Sequence, residues 1–286
     1  MSPESGRETA PIAKLLRRLD LAAAGRDEFS SPNPGDGRRL FGGLVAAQSV
    51  IAAGRTLGED PAERPLHSLH AYFLRPGRPG VPIRFAVTRL KDGRNFAART
   101  VFAWQEDEII FTLHASFTRP EDGIAHQDAM PEAPPPESSH PHERDGHPFE
   151  MRHCDSELED RELAEAGTPL PARRRNWMRP RGPVPDDRLV HTALLVYASD
   201  RKLISTGARP HGLVHGRRRA ASLDHAVWIH GDFSFDDWLL FDMQSPVARN
   251  ARALVYGAFY RPDGVRIASV AQEGLIRGGP GPSDGR

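Results

Sequence analysis

FGGLVAAQSVIAAGRTL, residues 41–57, opens with two glycines and then repeats Leu44, Ala47, Gln48 and Ile51 at helical spacing. The face they define is small and apolar, which predicts a buried helix entered through Gly42 and Gly43. Toward the C-terminus, four alternating segments follow, at residues 66–75, 83–91, 96–105 and 108–118. The breaks between them, RPGRPG, DGRN and QED, carry turn chemistry. A buried helix followed by an antiparallel meander describes a sheet wrapped around a helix.

The same order returns later in the chain. Residues 186–202, DDRLVHTALLVYASDRK, follow a proline and begin with two acids, a good helix start with an apolar middle. Strand-like segments at 222–230, 238–244, 252–260 and 265–276 come next. The two meanders overlay without a gap. His70-Ala71-Tyr72-Phe73 falls on His225-Ala226-Val227-Trp228, Asn95 on Asn250, Ala98 on Ala253 and Ala103-Trp104 on Ala258-Phe259, all at one offset of 155. A constant offset through four segments points to a duplicated unit of helix plus sheet. The expected organisation is a first unit at 1–120, a linker at 121–172, a second unit at 173–277 and a disordered tail at 278–286. The linker holds PEAPPPESSHPHERDGHP, too polar and proline-rich to offset its ordering entropy by burial. One short helix is expected in it, near residues 155–166.

Composition excludes several function classes. The chain has 286 residues, 38 Lys plus Arg and 38 Asp plus Glu. With no net charge there is no global field to draw nucleic acid or a membrane surface. Cys154 is the only cysteine, so this chain alone makes neither a disulfide nor a thiolate zinc site. His126, His140, His142 and His147 lie among prolines without regular ligand spacing, which reads as a solvated linker. No metal and no cofactor are expected. The N-terminal residues lack the apolar core of a signal peptide, the longest apolar run is too short to span a bilayer, and PSDGR is no peroxisomal address. These features read as a cytoplasmic protein without membrane insertion.

FGGLVAAQ, HSLHAYFLRPG, LKDGRNFAARTV, HASF, VPDDRLVHTALLVYASD, SLDHAVWIH and VAQEG resemble the type II, TesB-like acyl-CoA thioesterases. The resemblance covers both patterned regions. It implies an α+β double hotdog: two tandem units, each a long helix wrapped by an antiparallel sheet, with the sheets joined edge to edge. It also implies an acyl-CoA substrate and association into homo-oligomers.

The family's site residues fall on Asp200 in YASD, Ser222 in SLDH and Gln272 in AQEG. Where the family often has threonine this chain has Ser222, which keeps the hydroxyl and loses the methyl that fixes its rotamer. These residue types suit thioester hydrolysis. A thioester is already activated, so water must be aimed more than activated. A carboxylate accepts its proton, and a hydroxyl and a carboxamide hold it in line. Subtracting the offset takes Ser222 to His67 and Gln272 to Phe117, so one working site per chain is expected, with His67 a candidate for substrate contact. Gly42 and Gly43 offer backbone N–H groups to an oxyanion, or else simply permit close helix-to-sheet packing. Arginines are expected near the CoA phosphates. The candidates are Arg217, Arg218 and Arg219, and Arg173 to Arg175, although both clusters also read as solvated loops.

Other chemistries fit less well. There is no G-x-S-x-G elbow, no G-D-x-N-P-x-H hydratase segment, and GDGRRLFGG breaks the dinucleotide fingerprint at Leu40. His70 and His225 read as satisfied strand histidines, and Trp104, Trp228 and Trp238 as core. Asp224 stands as a rival to Asp200 for the base. A non-catalytic acyl-CoA-binding or sensing protein is the alternative function.

Overall fold

The computed structural model describes residues 10–34, 40–58, 63–142, 146–166, 168–211 and 218–278. It begins with helix α1 (Pro11–Leu19), the hairpin β1 (Ala22–Gly25) and β2 (Glu28–Ser31), and helix α2 (Gly42–Arg55). The first meander is β3 (Leu66–Phe73), β4 (Ile83–Asp92), β5 (Phe96–Gln105) and β6 (Glu108–Thr118). Short strands β7 (His140–His142) and β8 (Phe149–His153), helix α3 (Glu157–Glu165) and strand β9 (Arg173–Pro180) lead to the second unit. That unit comprises helices α4 (Arg188–Ser199) and α5 (Leu203–Ala208), then β10 (Arg218–Ser222), β11 (Asp224–Ile229), β12 (Leu239–Arg249), β13 (Arg252–Tyr260) and β14 (Arg266–Gly278).

The strands form one antiparallel sheet in the order β1-β2-β4-β5-β6-β3-β11-β14-β13-β12-β9-β8-β7, with β10 beside β14. The order reads the same from either side of the centre. The meanders β4-β5-β6-β3 and β12-β13-β14-β11 are mirror positions joined at β3 and β11, where His225 pairs with Ala71 and Ala226 with His70. This is the double hotdog, two helix-and-sheet units joined edge to edge.

Two buried helices fill the concave side. Every residue of α2 from Gly43 to Gly54 is buried, and α4 is buried over most of its length. Asp187 caps α4 by accepting hydrogen bonds from the backbone N–H groups of Leu189 and Val190. The two helices run antiparallel in direct contact, and glycines make that approach feasible. A Cβ on Gly54 would lie 2.5 Å from Leu189 Cδ1, and one on Gly43 would lie 2.8 Å from the Tyr197 carbonyl oxygen. The start of α2 therefore meets the end of α4, and the end of α2 meets the start of α4.

The stretch expected to be a linker contributes to the core. Phe149 and Met151 on β8 are buried, and Phe149 stacks on Phe235 and Tyr197 at ring-centroid distances of 5.1 and 5.9 Å. The alternation Phe149, Met151, His153 is three residues deep and flanked by Pro, His and Asp, so it carries little periodic signal. β9, also unanticipated, pairs with β8 and β12. Among the described residues no helix is long and apolar enough to cross a membrane. The tail, apart from Gly278, and Arg217 lie outside the described residues.

Candidate active site

The antiparallel helix pair brings the end of one repeat to the start of the other. Asp200 is the C-cap of α4, where the helix is stopped by Lys202 in the left-handed region (φ 68°). This leaves the Asp200 side chain facing the start of α2. The Gly43 backbone N–H donates to Asp200 Oδ2 at 2.8 Å. The free N–H groups at a helix start carry partial positive charge, so this contact favours the carboxylate.

The other oxygen is held from the sheet. Gln272 on β14 donates from Nε2 to Asp200 Oδ1 at 2.8 Å, and the Ser222 hydroxyl at the end of β10 donates to the same oxygen at 3.3 Å. Ser222 pairs with Gly274, two residues beyond Gln272 on the neighbouring strand. The sheet register therefore sets the hydroxyl and the amide side by side. Asp200, Ser222 and Gln272, far apart in sequence, form one cluster.

The electrostatics are mixed. The Asp200 residue is half-buried, but its carboxylate is enclosed by protein, and burial raises its pKa above the ordinary carboxylate value. The hydrogen bonds from Gln272, Gly43 and Ser222 and the charge of Arg201 oppose that rise. Arg201 is fixed beside the cluster, its guanidinium 4.4 Å from the Phe41 ring centre and 5.2 Å from that of Tyr197, with a 2.8 Å hydrogen bond from Nη2 to the Tyr197 hydroxyl. Sequence reasoning passed over Arg201. Its only signal was its place directly after the aspartate.

Gly42 and Gly43 serve close packing. A Cβ on Gly42 would meet Phe73 Cε1 at 2.6 Å, and one on Gly43 would meet Phe41 Cε1 at 2.6 Å. The Gly43 N–H is engaged with Asp200 rather than left open for an oxyanion.

Asp224 is turned away. Its neighbour His225 is buried on the helix side, and successive strand residues point to opposite faces. Asp224 accepts a hydrogen bond from the Glu273 backbone N–H at 2.6 Å.

His67 is not brought to the Asp200 cluster. It stands at the start of β3, six residues and about 20 Å from the Phe73 end that packs on Gly42. There it bonds Ser116 Oγ at 2.8 Å and lines a separate cleft of about 330 Å³ with Arg119, Arg188 and His230. That cleft lies at the end of the helix pair opposite to Asp200. At the equivalent positions Thr56 caps α2 and the buried Phe117 takes the place of Gln272, so neither carboxylate nor amide is present. Arg218 lies on β10, and Arg217 falls outside the described residues. Arg173 and Arg175 sit on β9 and form ion pairs with Asp242 and Asp155, while Arg174 bonds Ser205. Among the described residues, no group of three or more His, Cys, Asp or Glu side chains is placed to hold a metal ion.

Comparison with known proteins gives a consistent result. A family model described as acyl-CoA thioesterase matches residues 147–275, and another, described as the acyl-CoA thioesterase N-terminal domain, matches residues 29–118. The chain is 36% identical over 265 residues to acyl-CoA thioesterase 2 of Haemophilus influenzae, covering 84% of this chain and 88% of that protein. It is 33% identical over 270 residues to acyl-coenzyme A thioesterase 8 of Homo sapiens, covering 87% and 84%. The crystal structure of an acyl-CoA thioesterase II, TesB2, from Mycobacterium marinum matches with a TM-score of 0.79 at 38% identity, over 96% of this chain and 99% of that one.

Proposed function

The chain belongs to the type II acyl-CoA thioesterase family, a thioester hydrolase by that membership, and on this premise we propose that it cleaves fatty acyl-CoA with a water oriented by Asp200, Ser222 and Gln272. The observation that carries the assignment is the convergence of the Gln272 amide, the Ser222 hydroxyl and the Gly43 N–H on one enclosed carboxylate.

The chemistry follows from what each group holds. Asp200 accepts a proton from water as the water oxygen adds to the thioester carbonyl carbon. Ser222 and the second N–H of Gln272 fix the water and the carbonyl oxygen in line. The tetrahedral adduct then collapses by breaking the carbon–sulfur bond. The proton held by Asp200 passes to the CoA sulfur, leaving the carboxylic acid and free CoA. No covalent intermediate with the protein is needed, because a thiolate is a good leaving group.

One site operates per chain, because the first repeat carries Phe117 and Thr56 at the corresponding places. The units at 1–120 and 173–277 divide the labour. The second supplies the carboxylate, hydroxyl and amide, and the first supplies the helix start that holds the carboxylate. Association into homo-oligomers and a cytoplasmic place in fatty acid metabolism complete the reading. The deciding experiment is thiol release from acyl-CoAs of several chain lengths, measured on the wild type, Asp200→Ala and Gln272→Ala. Thiol release by the wild type that both substitutions abolish supports the reading. Acyl-CoA binding without thiol release, or full activity in either variant, rejects it.

A further inference from the structure

The catalytic amide leaves a polar atom unaccounted for. Gln272 is fully buried on β14; its Nε2 donates to Asp200, but its Oε1 has no hydrogen-bond partner among the described residues. A second buried atom in the same layer is likewise unaccounted for, Nδ1 of His225 on β11. The strand register relates the two. β11 and β14 pair Ala226 with Ala271, so one step along the ladder His225 stands opposite Gln272. Both are buried and so share the helix-facing side, where directly opposed side chains have Cβ atoms about 5 Å apart. His225 is tied on its other nitrogen to α4, with Nε2 2.7 Å from Ser199 Oγ, and Ser199 immediately precedes Asp200.

We propose that His225 is a positioning residue, carrying its proton on Nδ1 and donating it to Gln272 Oε1, so that the carboxamide is held with its NH2 toward Asp200. This rests on the catalytic reading of Gln272 given above.

Donor and acceptor parity sets the arrangement. A carboxamide can be turned over at little steric cost, and a turned Gln272 would present its oxygen to the Asp200 carboxylate. A donor opposite Oε1 opposes that turn, adding to the preference of the Asp200 carboxylate for the NH2 group. An imidazole protonated on Nδ1 is such a donor; its Nε2, 2.7 Å from Ser199 Oγ, then takes the one Ser199 hydroxyl proton in competition with the Val196 carbonyl oxygen 2.9 Å away. With the proton on Nε2, His225 would donate to Ser199, and its bare Nδ1 would draw the Gln272 NH2 away from Asp200. Burial also holds the ring neutral, its pKa pushed down to about 4 with the Gln272 side chain opposing the fall, so one nitrogen carries the proton at neutral pH. Ser199, His225 and Gln272 thus form a chain of hydrogen bonds from the end of α4, across two strands, to the carboxylate that follows Ser199.

Two measurements test this. The first uses the unmodified protein: 15N-edited NMR of the histidine rings at neutral pH, with the His225 signals identified by their loss in His225→Asn. A protonated Nδ1 is expected; a proton on Nε2 overturns the proposal. The second compares His225→Asn with His225→Leu, side chains of nearly equal size. Asn places an N–H where Nδ1 stood, and Leu places a methyl there. His225→Asn should keep kcat within about threefold of wild type. His225→Leu should lose kcat by roughly 10- to 100-fold with KM little changed, the effect of one orphaned buried acceptor in the network. Equal kcat in the two variants overturns the proposal. These outcomes are separate from the catalytic reading, which fails if the wild type binds acyl-CoA without releasing thiol or if Asp200→Ala or Gln272→Ala retains full activity.

Discussion

Asp200 Oδ2 accepts a 2.8 Å hydrogen bond from the backbone N–H of Gly43, a residue 157 positions earlier in the other repeat. The Asp200 carboxylate of the second unit is therefore seated on the helix start of the first. This contact joins the two repeats at the candidate site. Neither repeat alone contains both this carboxylate and the backbone N–H that holds its Oδ2.

Asp200→Asn should lower kcat by at least about 100-fold, the usual contribution of a positioned general base. Its wild-type pH dependence has a definite sign. The base works only when deprotonated, and burial raises its pKa above the ordinary carboxylate value. Thiol release should therefore fall on acidification, with a midpoint above the normal aspartate range. A rate independent of pH down to that range would contradict the role.

Arg201→Met should move the same midpoint upward. The guanidinium lowers the Asp200 pKa, so its removal leaves burial less opposed. Arg201→Lys retains the charge and should shift the midpoint less, although it loses the stacking on Phe41 and Tyr197. The readout is kcat/KM against pH for the three proteins. An unchanged midpoint in Arg201→Met would show that the cation is structural only.

Gly43→Ala should both destabilise and slow the enzyme. Its Cβ would approach the Phe41 ring to 2.6 Å and the Tyr197 carbonyl to 2.8 Å, and the second is backbone that cannot rotate aside. Overpacking of this kind costs about 1–3 kcal/mol, measurable as a drop in Tm. The displaced N–H would release Asp200, so thiol release should fall more than in Gly123→Ala, where an added Cβ meets nothing within 4 Å and the backbone is outside the left-handed region.

Acid should weaken the fold through His225. Its folded pKa is pushed down to about 4 from 6.5, so the unfolded chain binds the proton first. Stability from keeping this ring neutral is complete above pH 6.5 and is lost progressively as pH falls toward 4, amounting to about 3 kcal/mol at the low end. Urea unfolding at several pH values should show a steeper acid loss for wild type than for His225→Asn. Parallel curves would mean that the ring is not held neutral.

Much of this was legible in one dimension. The small apolar face after Gly42 and the constant offset of 155 between repeats specified two helix-and-sheet units, because helical and strand periodicities are local properties of side-chain order. YASD, SLDH and AQEG pointed to the three side chains that now meet. The strand β8 was missed because its three inward residues are too few to establish a period. His67 was assigned to substrate contact by subtraction of the offset. That operation finds the equivalent place in the other repeat, at the far end of the helix pair.

The sequence by itself determined the two buried helices and the strands of both meanders, that the unit is duplicated, and that only the second copy carries the carboxylate, hydroxyl and amide together. Tertiary structure alone decided that α2 and α4 run antiparallel, so that Gly43 meets Asp200, that Asp224 faces away from the cluster, and that His225 stands opposite Gln272. Periodicity fixes which face of an element is apolar. Which polar atoms are left to satisfy one another is settled only when strands from both repeats close the sheet around two helices and exclude water, leaving each buried donor and acceptor dependent on what the register places opposite it.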